Sequence, residues 1–150
     1  MIVKETRIKT GSGHKALAAH VLRGEKNEAI LVREGSEYWL KDWTKEAKRE
    51  GLTYGLRHIA FNPAQAMTDT ELSEFADRLC EELGANKAYR ALILHQKDGK
   101  RHGHLILPEW QDNHVLSSRF SYMRLEKVAR LEEIRLGHPL TAGRHDAALD

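Results

Sequence analysis

Three histidines, His95, His102 and His104, fall within ten residues of the stretch LHQKDGKRHGHLIL. Converging imidazoles can hold one divalent cation, with metal–nitrogen distances of about 2.0–2.1 Å if the ion is zinc. Three protein ligands leave positions open for water or substrate, which is the pattern of a catalytic centre rather than a structural one. Lys97, Lys100 and Arg101 stand between and beside these histidines. A structural metal needs no such cations, whereas a Lewis acid flanked by cations suits a phosphate-bearing substrate. The competing reading is a basic, exposed hairpin in which the histidines are incidental.

The chemistry requires the three rings to meet, and the local sequence supplies a device for that. Asp98-Gly99 is a favoured pair for a two-residue hairpin turn. With those two at the centre, Lys97 faces Lys100, His95 faces His102 and Ile93 faces His104. Directly opposed side chains share a face with Cβ atoms about 4.5–5.5 Å apart, and residues two apart on a strand share it too. The register therefore gathers all three imidazoles, and a slip of one residue would scatter them.

The remaining elements are read from pattern. Residues 3–9 and the β-rich segment 28–34 read as strands, as does 55–63, which Pro63 ends. Between the first two, Ser12 is a plausible cap for a helix over 16–22 that Gly24 stops. Ser36 opens a second helix reaching Gly51, with Tyr38, Trp39, Leu40, Trp43 and Ala47 as its apolar stripe. Thr68 and Glu71 form a capping box. Leu72, Phe75, Ala76, Leu79, Cys80 and Leu83 then recur at helical spacing until Gly84, which puts Cys80 on the buried face as a small filler. A last helix spans roughly 122–136. Helices interleaved with strands, two of them tightly hairpinned, predict an α+β fold with an antiparallel sheet and helices packed on one face. Residues 1–139 form the expected domain, and 140–150 read as a tail or a linker to further domains.

Composition bounds the rest. The chain has 150 residues, 41% of them apolar, enough for one core and too many for a disordered chain. A single cysteine excludes an intrachain disulfide and a cysteine-based zinc site. No run approaches the roughly 20 apolar residues of a membrane helix, and the first residues lack the apolar centre of a secretory signal, so the expected location is the cytoplasm. The net charge of +2 is unevenly spread. Lys4, Arg7, Lys9, Lys15, Arg23 and Lys26 stand against two acids near the start, and Lys87, Arg90, Lys97, Lys100 and Arg101 surround the histidines, whereas residues 68–84 carry six acids and only Arg78. Ordinary solvated charge accounts for this, and so does a polarised surface suited to a polyanion.

HQKDGKRHGH resembles the three-histidine motif of HUH-type endonucleases. Its form, histidine, six residues, His-x-His and an apolar strand, is similar to that of relaxases, the nickases of conjugative and mobilisable plasmids. LAAHVLRGEKNEAILVREG resembles the N-terminal block of mobilisation relaxases. HIAFNPAQAMTDTELSEFADRL is similar to the strand, Asn-Pro and helix that precede their histidine motif, and the helix after Ser121 resembles the helix on the C-terminal side of that motif. The resemblance covers most of residues 11–137. It implies the antiparallel palm of that family and binding of DNA at an origin of transfer. One strand would be melted and nicked at a set phosphate, the nucleophile would keep the 5′-phosphate, and the ends would later be rejoined. It implies a divalent metal (Mn, Mg, Ni or Zn) on His95, His102 and His104, relaxosome accessory proteins, and a type IV coupling protein. Imidazole ligands suit zinc, nickel and iron better than magnesium.

Most relaxases carry a tyrosine nucleophile in the N-terminal block. Here KALAAHVLRG has none, and the matching position is His20. The chain resembles the branch that uses histidine and forms a phosphoramidate, which a neutral imidazole can do near pH 7. Helical spacing from Leu17 and Ala16 turns His20 toward the sheet rather than bulk water, although geometry alone suits a histidine at the edge of the core equally well. Glu28 matches an Asn-Glu pair of similar relaxases and could orient an imidazole; it could as well be a strand-end carboxylate facing solvent. Asp98 takes the turn role. Arg7, Lys9, Arg23, Lys97, Lys100 and Arg101 are the candidate DNA contacts. Tyr38, Tyr54, Tyr89 and Tyr122 lie outside the nucleophile block, and His14, His58, His114, His138 and His145 read as ordinary histidines. Two other functions stay open: a DNA-binding module with a relaxase fold and no strand transfer, and a metal-dependent hydrolase of small phosphates.

Overall fold

The structure is a computed structural model that describes residues 1–24 and 29–142. Glu28 lies outside the described residues. The elements in chain order are β1 (Ile2–Lys9), α1 (Lys15–Arg23), β2 (Ala29–Glu34), α2 (Glu37–Arg49), β3 (Tyr54–Asn62), α3 (Asp69–Leu83), β4 (Ala91–Lys97), β5 (Lys100–Pro108), β6 (Trp110–Gln111), β7 (His114–Val115) and α4 (Ser121–Leu136). Five strands form one sheet in the order β1-β3-β5-β4-β2, and each neighbouring pair is antiparallel. The expected α+β fold with an antiparallel sheet is what forms. The small β6–β7 hairpin is an addition that the sequence pattern does not signal.

The helices lie on both faces of the sheet, not on one. On the first face Ile59, Phe61, Leu92, Leu94, Leu105 and Leu107 pack against α3 and α4. On the second, Leu56, Ala91, Ile93 and Ile106 meet Leu17, Ala18 and Val21 of α1 and Leu40 and Trp43 of α2. The reason lies in the two central strands. Leu92, Ile93 and Leu94, like Leu105, Ile106 and Leu107, are continuous apolar runs and all buried. A strand apolar on both sides must be covered on both sides.

Local signals hold with two exceptions. The Thr68–Glu71 capping box forms, and Gly84 closes α3 at φ 71°. The Ser36 hydroxyl accepts the Trp39 N–H at the start of α2. At α1, however, His14 rather than Ser12 occupies the cap position, without a side-chain hydrogen bond. The apolar stripe of α2 is also narrower than its sequence: Leu40, Trp43 and Ala47 are buried, whereas Tyr38 and Trp39 are 72% and 41% exposed. Cys80 is buried, as its spacing requires. Within the expected tail, Thr141 donates its N–H and hydroxyl to Glu133 of α4. Among the described residues no helix is long and apolar enough to cross a membrane.

Two packing details bear on the hairpin. Phe61 of β3 pairs in register with Gly103 of β5, and a Cβ at Gly103 would stand 2.2 Å from the Phe61 ring. That ring also meets Phe75 of α3 edge-on at 5.2 Å. The glycine between His102 and His104 therefore lets an aromatic ring cross the strand on one face while both histidines project on the other. Elsewhere, fully buried Arg57 grips Glu109 through two hydrogen bonds of 3.0 and 2.9 Å, and Arg7 joins the same carboxylate at 3.0 Å.

Candidate active site

The turn is built as its sequence demands. Asp98 and Gly99 both have positive φ, 52° and 74°, and Lys97 pairs with Lys100, His95 with His102, and Ile93 with His104. Type I′ geometry needs positive φ at both central residues, which Asp-Gly tolerates. The three imidazoles share one face, the face covered further along by α1 and α2. Ring centroids are 4.3 Å apart for His95 and His104, and 5.2 Å for each of the other two pairs. One nitrogen from each ring can be chosen so that all three lie within 4.8 Å of one another.

Two of the three hairpin rings have a hydrogen-bond partner at one nitrogen. His95 Nε2 donates to the Val21 carbonyl at 2.6 Å, which leaves Nδ1 unprotonated in the neutral ring. His104 Nδ1 lies 2.7 Å from His58 Nε2. His104 Nε2 is buried with no hydrogen-bond partner among the described residues. An orphaned nitrogen beside two further imidazoles is the signature of a ligand set, and the residues present fit a divalent cation. All four rings favour the neutral form that ligation needs. Burial, then the neighbouring imidazoles, pushes His104 down to about 2 and His58 down to about 4. Burial chiefly lowers His95 and His102 as well.

His20 stands over this cluster. Its ring centroid is 5.6 Å from that of His104, 6.3 Å from His58 and 6.4 Å from His95, each edge-on. The side chain is nevertheless exposed, so it faces the histidines and solvent together rather than the core. Leu17, Ala18 and Val21 bury the other side of α1 and hold His20 at the rim.

The candidate DNA contacts divide. Lys97 and Lys100 are exposed at the hairpin end, and their register puts them on the histidine face. Arg101 is one residue out of phase and pairs with Asp69 of α3 at 2.9 Å. Arg7 lies on the face opposite the histidines, bound to Glu109 and stacked 4.1 Å from the Tyr54 ring centroid. Strand alternation thus removes both arginines from the cluster. Arg23, at the end of α1, pairs with Glu37 at 3.1 Å, and Lys9 is exposed beside a bulge at the end of β1. Tyr54 is engaged by Arg7, Tyr89 lines a groove with Trp43 and Trp110, and Tyr122 lines a cavity with Met1 and Val3.

His58, read from sequence as ordinary, joins the cluster. Its register opposite Ile106 places it on the histidine face, and its ring stacks on His104 at 5.0 Å and 25°. Only the β3–β5 pairing brings it there, and nothing within its own segment announces that pairing.

A family model described as "Relaxase: MobA/VirD2-like, nuclease domain" matches residues 23–137, which include His58 and all three hairpin histidines and begin just after His20. The fold is similar to a solved structure reported for the molecular basis of vancomycin resistance transfer in Staphylococcus aureus. The identity is 14% and the TM-score 0.55, over 93% of this chain and 95% of that one; at that identity the likeness concerns the fold. No curated protein matches the chain. Since the matched segment spans most of the chain and carries the whole three-histidine hairpin, the chain belongs to the MobA/VirD2-like relaxases, HUH-type nuclease domains of conjugative DNA mobilisation.

Proposed function

We propose that the domain nicks one strand of a plasmid origin of transfer at a set phosphate and keeps the 5′ end on His20. The observation that carries this reading is the His20 ring 5.6 Å from His104, on the open side of the three-histidine cluster. A His20 ring nitrogen attacks the phosphorus; the P–N bond forms as the P–O3′ bond breaks, and the departing 3′ oxygen takes up a proton. Attack by a 3′ hydroxyl reverses the step and reseals the strand. His95, His102 and His104 would hold the divalent cation, manganese, magnesium, nickel or zinc. Such an ion supplies Lewis-acid polarisation of the scissile phosphate and neutralises developing charge.

The chain's own side chains position the strand. Lys97 and Lys100 contact backbone phosphates beside the cluster. Lys4, Thr6 and Asn62, exposed on the part of the histidine face beside His58, extend the track. Glu28, which lies outside the described residues, is assigned on the family resemblance alone to orient an imidazole. Arg23 and Lys9 serve as outer phosphate contacts. An enzyme of this kind works in the cytoplasm with relaxosome accessory proteins and a type IV coupling protein.

The test is a supercoiled plasmid carrying the natural origin, incubated with each ion and with a chelator. Metal-dependent conversion to the open circle, with protein on the 5′ end, supports the reading. The absence of a tyrosine from α1 favours a second reading, a relaxase-fold module that binds without cleaving. Salt-sensitive binding at the origin with no nicking under any of these ions would select it.

A further inference from the structure

We propose that His58 is a positioning residue for the metal site: its Nε2 accepts the Nδ1–H of His104 and so aims the His104 Nε2 lone pair into the cluster. The proposal rests on the metal reading above. The two nitrogens are 2.7 Å apart, and a neutral imidazole carries one proton, so the contact admits two assignments. If His58 donated, the His104 proton would sit on Nε2, which is buried and has no acceptor among the described residues. That assignment buries an unsatisfied N–H and occupies the one nitrogen left to bind an ion. If His104 donates, Nδ1 is satisfied, Nε2 keeps its lone pair, and the His58 proton moves to Nδ1.

The neighbours hold this geometry. His58 and His104 lie on adjacent antiparallel strands, with His58 opposite Ile106 and His104 opposite Ala60. The near-parallel stacking of the rings restricts both planes. Small Ala60 opposite His104 leaves room for the rings to approach. His95 has the corresponding support from the Val21 carbonyl, so two of the three ligands are oriented through their second nitrogen. In metal sites generally, such partners fix tautomer and ring plane, and losing one lowers metal affinity about 10–100-fold.

The test pairs imidazole NMR with calorimetry. In metal-free wild type, long-range nitrogen–proton spectra should show His104 protonated at Nδ1 and bare at Nε2. Titration with Mn(II), Ni(II) or Zn(II) should give one site. His58→Gln, whose amide oxygen can accept the same proton, should stay within about threefold of wild-type affinity, whereas His58→Phe should lose about 10–100-fold. Melting of the metal-free variants checks that both fold, and the wild-type spectrum decides the tautomer even if one does not. A wild-type His104 protonated at Nε2, or His58→Phe binding as tightly as wild type, overturns the role of His58. A wild type that binds none of the three ions overturns the metal reading and this proposal together.

Discussion

His95 Nε2 donates to the main-chain carbonyl of Val21, the residue directly after His20. Val21 lies in the last turn of α1, which ends at Arg23, so its carbonyl is one of the four that a helix cannot satisfy internally. A side chain of the three-histidine cluster thus caps the helix that carries the proposed nucleophile. The two halves of the site are joined by one hydrogen bond rather than by a shared segment of chain.

That link predicts a coupling. His95→Ala should loosen the end of α1, raising amide exchange over residues 17–23 about fivefold, the equivalent of one net hydrogen bond of roughly 1 kcal/mol. His102→Ala should leave exchange there unchanged, since among the described residues His102 makes no such bond to α1. Exchange in α1 that responds equally to both substitutions, or to neither, contradicts the coupling.

Metal affinity should separate the hairpin histidines from the others. His102→Ala and His104→Ala should each reduce affinity by more than about 100-fold, beyond the effect of losing an orienting partner. His14→Ala and His114→Ala should change nothing. Calorimetry with Mn(II) or Ni(II) measures this directly.

Gly103 should resist substitution. Its Cβ would meet the Phe61 ring at 2.2 Å, and Phe61 is itself wedged against Phe75. Gly103→Ala should cost about 1–3 kcal/mol by overpacking, seen in denaturant unfolding, and should weaken metal binding by displacing His102 and His104. The pair Gly103→Ala with Phe61→Leu should recover part of both.

Acid should destabilise the metal-free protein in a defined window. In the unfolded chain these imidazoles protonate near 6.5, whereas burial holds His58 down to about 4 and His104 down to about 2. Between roughly 6.5 and 4 the unfolded state therefore binds more protons, and stability falls as pH falls. The slope should approach the order of 1 kcal/mol per pH unit for each histidine. Unfolding in chelator at pH 7.5 and pH 5 checks the sign, and equal stability at the two would contradict it.

The hairpin and α3 were legible because their determinants are local. Asp98-Gly99 sets the register of His95 and His102, and Thr68 with Glu71 sets the start of α3. The exclusion of Arg101 from the cluster comes from the same alternation, since it is one residue out of phase with His102. Helix–strand order alone suggests helices on one face, whereas the unbroken runs Leu92–Leu94 and Leu105–Leu107, all buried, require cover on both. His58 was not legible, because its place depends on β3 pairing with β5 across two intervening elements. Arg7 reads as a free cation until Glu109, far along the chain, is brought beneath it.

His20, facing the three histidines, is the proposed acceptor of the 5′-phosphate, and on that assignment the whole mechanism turns. The most direct measurement is the attachment site on protein recovered from nicked origin DNA, mapped by peptide mass spectrometry. The expected result is a phosphoramidate on His20 that acid cleaves and alkali spares, and no adduct from His20→Ala that still binds metal and DNA. A phosphotyrosine, or an adduct that persists in His20→Ala, would contradict it.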